Sequence, residues 1–168
     1  MPEPTPSQTV GPFFEFGLLD RQQNLLAGDG VAGAVTIAGL VLDGEQQPVP
    51  DAMVEVWQAD AAGQHPPGFG WGRAGTAPDG EYVLHTVKPG PTAGGAPHLS
   101  LLVFARGLLK PVLTRMYFPD ESAANAADPV LASLSDDERS TLVATPSPSG
   151  LRFDIRLQGD RETVFFVV

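Results

Sequence analysis

The amino-acid sequence predicts an all-β protein, an antiparallel-dominated β-sandwich of about seven or more short strands with long loops and one short helix near 136–142. Gly (19) and Pro (17) make up about a fifth of the 168 residues, which disfavours long helices. Hydrophobic residues make up 42% of the chain, which is enough for a buried core. Short apolar segments recur between turn signals without a strand–helix alternation, and this favours a sandwich or barrel. The length fits one domain, 1–168.

Seven segments have the composition of strands. The run VTIAGLVL at 35–42 is nearly all apolar and rich in β-branched residues, as expected for a buried strand. LRFDIRL at 151–157 alternates apolar with charged residues, which indicates one buried face and one solvated or paired face. TVFFVV at 163–168 carries no charge, so we expect the sheet or a partner chain to cover this strand. The other predicted strands are 52–58, 81–87, 98–104 and 112–118.

The rest of the chain is predicted to form an arm, loops and one helix. The first residues contain three prolines and no periodicity, so 1–14 is expected to be an extended N-terminal arm. The segment 59–79 is rich in Gly and Pro and is predicted to be a long loop, a kind of segment that often carries function. Ser135 followed by Glu138 is a capping box, and it predicts the short helix at 136–142.

Charge and composition exclude several classes of function. The formal net charge of −10 repels phosphate backbones and anionic lipids, so we expect neither a nucleic-acid nor a membrane partner. The absence of cysteine excludes disulfides, thiolate zinc sites and cysteine nucleophiles, and it suits a reducing compartment. No basic region followed by an apolar run opens the sequence, and no apolar stretch has the ~20 residues of a membrane helix. We therefore expect a cytoplasmic protein.

Residue types alone indicate little chemistry. The three histidines, His65, His85 and His98, form no His-x-His or His-x-x-x-His pair, so each is better explained as a satisfied or solvated side chain than as a metal ligand. No Ser-His-Asp set can be argued from spacing, and the glycines of GFGWG lack the helix that a phosphate-binding loop needs. On these grounds the sequence predicts a β-sandwich without an assigned role.

Five segments together resemble the intradiol ring-cleavage dioxygenases, and within that family the protocatechuate 3,4-dioxygenases. They follow one another in the family's order and span nearly the whole chain, which makes a chance similarity improbable. The segments are SQTVGPFF at 7–14, VEVWQADAAG at 54–63, DGEYVLHTVKPGP at 79–91, TRMYFPDE at 114–121 and LRFDIRLQGDRETVFF at 151–166.

The resemblance implies a β-sandwich whose family holds Fe(III) with two tyrosinates and two histidines and inserts both atoms of O₂ into a catechol. This sequence departs from that ligand pattern. Thr92 stands where a tyrosine follows the KPGP turn, and the His-x-His pair reads His98-Leu99-Ser100. The second tyrosine position falls at or near His65. Tyr82 and Tyr117 lie inside predicted strands and are interpreted as packing residues. The resemblance therefore implies that this chain binds no iron.

Protocatechuate 3,4-dioxygenases pair an iron-bearing beta chain with a homologous alpha chain that has lost the metal, and this sequence resembles the alpha chain. The implied partner is the beta chain in an (alpha-beta)n complex, which holds the Fe(III) and binds a small aromatic acid. The resemblance places the arm residues Thr9, Gly11 and Pro12, with Phe13 beside them, at the partner's substrate pocket. Arg115 in TRMYF matches an arginine near that pocket.

Two other interpretations remain open at this point. One is a binding or scaffold module that kept the fold without the chemistry, and the other is a self-contained enzyme with a rearranged metal site. The subunit interpretation also predicts that the arm and the strand at 163–168 are buried against the beta chain and that the isolated chain aggregates or self-associates.

Overall fold

A computed structural model of the protein describes residues 6–9, 11, 14–19, 22–27, 31–92 and 94–167. Nine strands and four short helices lie in this part of the chain. The strands are β1 (Ala34–Leu42), β2 (Met53–Trp57), β3 (Trp71–Gly75), β4 (Glu81–Val87), β5 (His98–Phe104), β6 (Val112–Tyr117), β7 (Thr145–Ser147), β8 (Gly150–Arg152) and β9 (Ile155–Arg156). The helices are α1 (Phe14–Leu18), α2 (Ser122–Ala127), α3 (Pro129–Ala132) and α4 (Asp136–Ser140).

Two sheets form the sandwich and confirm the predicted fold class. One has the strand order β4-β1-β8-β7, with β9 also paired to β1, and the other has the order β3-β2-β5-β6. Five of the seven strand pairings are antiparallel, whereas β8 and β9 run parallel to β1. None of the helices in the described part of the chain has the length and apolar character needed to cross a membrane.

The core lies between the two sheets and is made by alternate residues of the strands. The four-stranded sheet turns one face inward, including Val54, Val56, Leu99, Leu101, Val103 and Met116. The other sheet contributes Ile37, Val41, Tyr82, Leu84, Phe153 and Ile155 to the same cluster. A second, smaller cluster lies under α3 and contains Ala96, Tyr117, Leu131 and Leu142. The opposite face of the four-stranded sheet is therefore available to build a site.

The predicted strand at 151–157 is correct in its alternation but is divided into β8 and β9. Phe153 and Ile155 are buried, as the pattern predicts. Between the two short strands, the Asp154 carboxylate accepts a hydrogen bond from the backbone N–H of Leu40 on β1 at 3.0 Å. At this point a side-chain oxygen, and not a backbone carbonyl, is the acceptor for β1. Position 39 of β1 requires glycine, because a Cβ there would lie 1.8 Å from the carbonyl oxygen of Phe153.

Other predictions needed correction. The segment predicted to be one long loop contains β3, which the sequence analysis missed, and α2 and α3 were also missed. The end of the predicted arm, from Phe14 onward, is helical in α1. The predicted strand at 163–168 is not a strand over its described residues, because it makes only an isolated bridge from Phe166 to Leu113 on β6. The capping box of Ser135 is present and begins α4, which confirms the predicted helix start.

Candidate functional site

The outer face of the four-stranded sheet, meaning the side turned away from the other sheet, carries Arg115 among the predicted site residues. The strand register aligns Trp71 with Trp57, Trp57 with Ser100, and Ser100 with Arg115. These four side chains therefore form a row across β3, β2, β5 and β6. His98 lies two residues before Ser100 on β5 and thus on the same face.

A small pocket of about 90 Å³ opens at the end of this row, where the loops after β2 and β4 approach β5. It is lined by Trp57, Gln58, Ala59, His65, Thr92, His98 and Ser100. Four of these, His65, Thr92, His98 and Ser100, are positions at which the resemblance places metal ligands, and they come from three separate segments of the chain. The tertiary structure thus places these four side chains around one pocket.

The two histidines of the pocket, His65 and His98, differ in the contacts that their rings make. The ring of His65 stacks on the indole of Trp57, with centroids 5.5 Å apart and planes 7° apart. Nδ1 of His98 lies 2.9 Å from the carbonyl oxygen of Ala96. Because a carbonyl only accepts, Nδ1 carries the proton and Nε2 keeps its lone pair. Burial lowers the pKa of His98, and the nearby positive charge of Arg115 lowers it further, so His98 is neutral near pH 7.

The residues present do not fit ferric iron. Fe(III) is a hard cation that prefers anionic oxygen ligands, whereas this pocket offers imidazoles, an amide and the neutral hydroxyls of Thr92 and Ser100. Within the described ranges, no group of three or more His, Cys, Asp or Glu side chains is placed to hold a metal ion. One well-oriented imidazole, that of His98, is the part of such a site that the chain retains.

The two tyrosines, Tyr82 and Tyr117, are buried side chains that pack in the interior, as the sequence analysis predicted. Tyr82 is completely buried, and its hydroxyl donates to the carbonyl oxygen of Phe153 at 2.7 Å. Burial, together with the nearby carboxylate of Asp154, raises the pKa of Tyr82 far above its usual range, so it does not form a phenolate. Tyr117 is buried under α3, and burial raises its pKa as well.

Arg115 places a positive charge on the outer face. Its Nη1 donates to the hydroxyl of Tyr117 at 3.3 Å, and its guanidinium carbon lies 5.7 Å from the ring centroid of Phe166. Within the described part of the chain, no ion pair joins Arg115 to a carboxylate, although the protein carries a net charge of −10. Its charge therefore remains available to an anion that approaches this face.

A buried carboxylate, which the sequence analysis missed, supports this arrangement. Asp128 is 1% exposed, and its Oδ1 accepts the Tyr117 hydroxyl at 3.2 Å, so Tyr117 links it to Arg115. Burial alone would raise the pKa of Asp128, but the N–H donors of Leu131, Ala96 and Val130 and the Tyr117 hydroxyl outweigh it and hold that pKa below its usual range. The dipeptide Asp128-Pro129 is a recognisable helix start and could have indicated this role.

Thr9 of the arm lies away from this pocket within the chain. The hydroxyl of Thr9 accepts the N–H of Gly107 at 3.0 Å and lies 3.5 Å from the carbonyl oxygen of Ala105. Thr9 thus borders a different cavity of about 330 Å³ at the β5–β6 turn. Gly11 is exposed, with open space where a Cβ would stand. Pro12 and Phe13 lie outside the described residues.

Comparisons with known proteins agree with the fold and indicate the family. A family model described as "Dioxygenase" matches residues 11–159. The protocatechuate 3,4-dioxygenase alpha chain of Burkholderia cepacia is 43% identical over 191 aligned residues, covering 98% of this chain and 97% of that protein. The beta chain of the same organism's enzyme is 30% identical over 159 residues, covering 79% of this chain and 67% of that one.

The fold likewise occurs among solved structures. The dioxygenase domain of a dioxygenase carbohydrate-binding protein fusion from Streptomyces sp. SirexAA-E superposes with a TM-score of 0.66 and 26% identity. The superposition covers 80% of this chain and 86% of that one.

Proposed function

The chain belongs to the intradiol ring-cleavage dioxygenase family, and we propose that it is the iron-free alpha subunit of a protocatechuate 3,4-dioxygenase. In this proposal it assembles with a homologous beta chain that carries the Fe(III). The complex cleaves protocatechuate between its two hydroxyl-bearing carbons. Both atoms of O₂ enter the product, 3-carboxy-cis,cis-muconate, so no further reductant is required.

The observation that carries the proposal is the pocket around His98. It gathers the positions at which the family places metal ligands, yet it offers Thr92 and Ser100 in place of an anionic oxygen and a second histidine. Intradiol dioxygenases depend on iron. The metal-dependent step is therefore assigned to the partner chain, and no step of the reaction is assigned to a residue of this one.

The role proposed for this chain is to line the partner's substrate pocket. Arg115 supports it, because a half-buried guanidinium without a carboxylate partner in the described part of the chain suits the carboxylate of an aromatic acid. The arm residues Thr9, Gly11 and Pro12 are proposed to border the same pocket. Thr9 is bound to the turn of its own chain at Gly107.

The setting proposed for the complex follows from charge and composition. The net charge of −10 is unfavourable for nucleic acid and anionic membranes, so the proposed partners are the beta chain and a small aromatic acid. A chain without cysteine suits the cytoplasm, where we propose the complex works.

The proposal is tested by expressing this chain alone and together with the beta chain from the same source. Iron per chain is measured by elemental analysis, and ring cleavage is measured by oxygen uptake with protocatechuate. We expect less than a tenth of an equivalent of iron and no cleavage for the isolated chain, and iron with activity for the co-purified pair, in line with the donor set of the pocket. Iron near one equivalent on the isolated chain, with a tyrosinate-to-iron absorption band, would overturn the proposal and support a self-contained enzyme. Failure of the two chains to associate would instead support a scaffold module.

A further inference from the structure

A group of charged side chains lies on the sheet that contains β1, on the side turned away from the four-stranded sheet. Phe153 and Ile155 are buried in the core between the sheets. Because successive residues of an extended chain point to opposite sides, Arg152, Asp154 and Arg156 lie on the outward face of this sheet. The sequence analysis predicted this face to be solvated or paired, and the function proposed above makes no use of it.

These side chains border a pocket of about 150 Å³, which the turn after β9 and the end of α4 complete. Its described lining contains three arginines, Arg152, Arg156 and Arg161, and the carboxylate of Asp154, and we call it the arginine pocket. Its hydroxyl groups are those of Ser140, Thr141, Thr145 and Thr163. Three of the ten Lys and Arg residues of the chain thus meet at one point of a protein whose net charge is −10. A cleft lined by one sign of charge concentrates ions of the opposite sign.

The carboxylate of Asp154 does not satisfy all three guanidiniums. Its Oδ1 lies 2.9 Å from Nη2 of Arg152, whereas its Oδ2 lies 3.9 Å from Nη2 of Arg156, which is beyond hydrogen-bond distance. Nε of Arg156 donates to the side-chain oxygen of Gln46 at 3.1 Å. Over the described ranges, no ion pair holds Arg161. Arg156 and Arg161 therefore keep N–H donors for a ligand, in the planar arrangement that suits an oxyanion.

A buried hydroxyl adds a further donor to the arginine pocket. Thr163 is 1% exposed and lines the pocket. Its Oγ1 accepts the backbone N–H of Arg156 at 2.9 Å, and no hydrogen bond within the described part of the chain uses the hydroxyl's own hydrogen. A buried donor without an acceptor is unfavourable, and an oxyanion in the pocket would supply the acceptor.

Carboxylates around the arginine pocket limit the size of its ligand. On one side, Oε1 of Glu81 lies 3.9 Å from Nη1 of Arg152. On the other side, Arg161 also borders a neighbouring cavity of about 520 Å³, whose acidic residues are Asp137, Glu138, Asp160 and Glu162. A large anion would reach these carboxylates, whereas a small one stays among the arginines. The volume of about 150 Å³ agrees with this, since pockets for drug-sized ligands have ~300–1,000 Å³.

We propose that the arginine pocket binds a small multivalent oxyanion, either inorganic phosphate or a small polycarboxylate. The guanidiniums of Arg156 and Arg161 and the hydroxyl of Thr163 donate to the anion. Arg152, which Asp154 holds in place, adds positive charge beside it. The inference is independent of the proposed function, because the arginine pocket lies on the other sheet and shares no residue with the pocket around His98.

The test uses the full chain, in the co-purified pair where the pair forms and alone where it does not. Isothermal titration calorimetry in a low-salt, phosphate-free buffer measures the binding of inorganic phosphate and of propane-1,2,3-tricarboxylate. Arg161→Gln and Arg156→Gln each remove one guanidinium from the pocket. Arg106→Gln is the matched control, because it removes the same charge from a side chain that is 66% exposed at the β5–β6 turn.

We expect at least one probe to bind saturably to the wild-type protein. Each pocket variant should raise its dissociation constant about tenfold, through the loss of a charge-assisted hydrogen bond, and the control should change it less than about twofold. Equal effects of all three variants would mean that net charge alone attracts the anion, and they would overturn the inference.

A second measurement needs no variant, and it decides the matter if a pocket variant does not fold. Phenylglyoxal modifies accessible arginines, and peptide mass spectrometry gives the rate at each one. At a probe concentration of about twice the dissociation constant, the rate at Arg161 should fall about threefold, while the rate at Arg106 stays the same.

The two probes distinguish the possible ligands. Binding of phosphate alone or of the tricarboxylate alone would support the site and identify its ligand, and binding of both would support a general oxyanion site. Dissociation constants above about 10 mM for both probes, without protection of Arg161, would show that the pocket is not a binding site. Wild-type affinity in both pocket variants would show that the anion binds elsewhere.

Discussion

Replacing Asp128 by asparagine should destabilise the fold through one misplaced donor. The carboxylate accepts from the N–H groups of Val130 and Leu131 with Oδ1, at 2.9 and 3.0 Å, and from the N–H of Ala96 with Oδ2, at 2.9 Å. Both oxygens therefore face donors. An asparagine has one oxygen and one NH₂, so its amide must place a donor against a buried backbone N–H in either orientation.

The size of the effect follows from these contacts. A buried donor that loses its acceptor costs about 1–3 kcal/mol, and hydrogen bonds to a charged acceptor are worth about 1.5–3 kcal/mol each. The substitution leaves one N–H unpaired and replaces the remaining charged acceptor by a neutral one. We expect Asp128→Asn to lower the free energy of unfolding by about 3 kcal/mol, a large part of the ~5–15 kcal/mol available to a domain.

Protonation of the Asp128 carboxylate should make the free energy of unfolding depend on pH. The pKa of Asp128 is lowered in the folded protein, so its contribution is complete above the unfolded value of ~3.9 and is lost as the pH falls through the lower folded pKa. The difference in unfolding free energy between wild type and Asp128→Asn should therefore be constant from neutral pH down to about pH 4 and shrink below it.

Equilibrium unfolding in urea, followed by tryptophan fluorescence, measures both quantities. The matched control is Asp136→Asn, which removes a helix-start carboxylate whose side chain is 96% exposed and should leave the unfolding midpoint nearly unchanged. A loss of less than about 1 kcal/mol for Asp128→Asn, or a difference between the two proteins that grows as the pH falls below 4, would refute the reasoning.

Three further predictions concern the proposed active complex and the core. Arg115→Ala in the assembled complex should raise KM for protocatechuate about tenfold, the ~1.4 kcal/mol of one partly solvated charged contact, and leave kcat unchanged. The KM for catechol, which lacks the carboxylate, should change much less, and equal losses for both substrates in steady-state kinetics would contradict the proposed contact. Tyr117→Phe removes the hydroxyl that accepts a hydrogen bond from the Arg115 guanidinium, so it should raise KM for protocatechuate by a smaller factor without loss of iron. An unchanged KM would show that this hydrogen bond does not position Arg115. Tyr82→Phe leaves the buried carbonyl of Phe153 without its donor and should cost about 1–2 kcal/mol in urea unfolding, while a neutral result would mean that water replaces the hydroxyl.

Local features of the fold were predictable, since they depend on residues close together in the chain. The capping box of Ser135 and Glu138 begins α4 where the sequence predicts it. The apolar run at 35–42 forms most of β1, whose bounds are Ala34–Leu42. By contrast, β3 has the sequence WGRAG, with two glycines and low β-propensity. It is a strand because its backbone pairs with β2 and because Arg73 bonds to Glu55 across that pairing.

The same distinction applies to the site. The departures from the family's ligand pattern at Thr92 and Ser100 are visible in the sequence, because they occupy fixed positions beside the KPGP turn and His98. The link from Arg115 through Tyr117 to Asp128 was not visible, since it joins β6 to the N-cap residue of α3, eleven positions after Tyr117. Contacts of this kind depend on strand register, which no short stretch of sequence specifies.

By itself the sequence indicated a β-sandwich of the intradiol family, with Thr92 and Ser100 at positions where the resemblance places iron ligands. Strand periodicity, turn residues and the identity of a side chain at a motif position are all local properties. Only the tertiary structure decided that His65, Thr92, His98 and Ser100 share one pocket, and that Phe166 bonds to Leu113 on β6 while Trp57 remains exposed. The physical reason is that burial is set by which surfaces meet across the two sheets, and each such surface is assembled from residues distant in the chain.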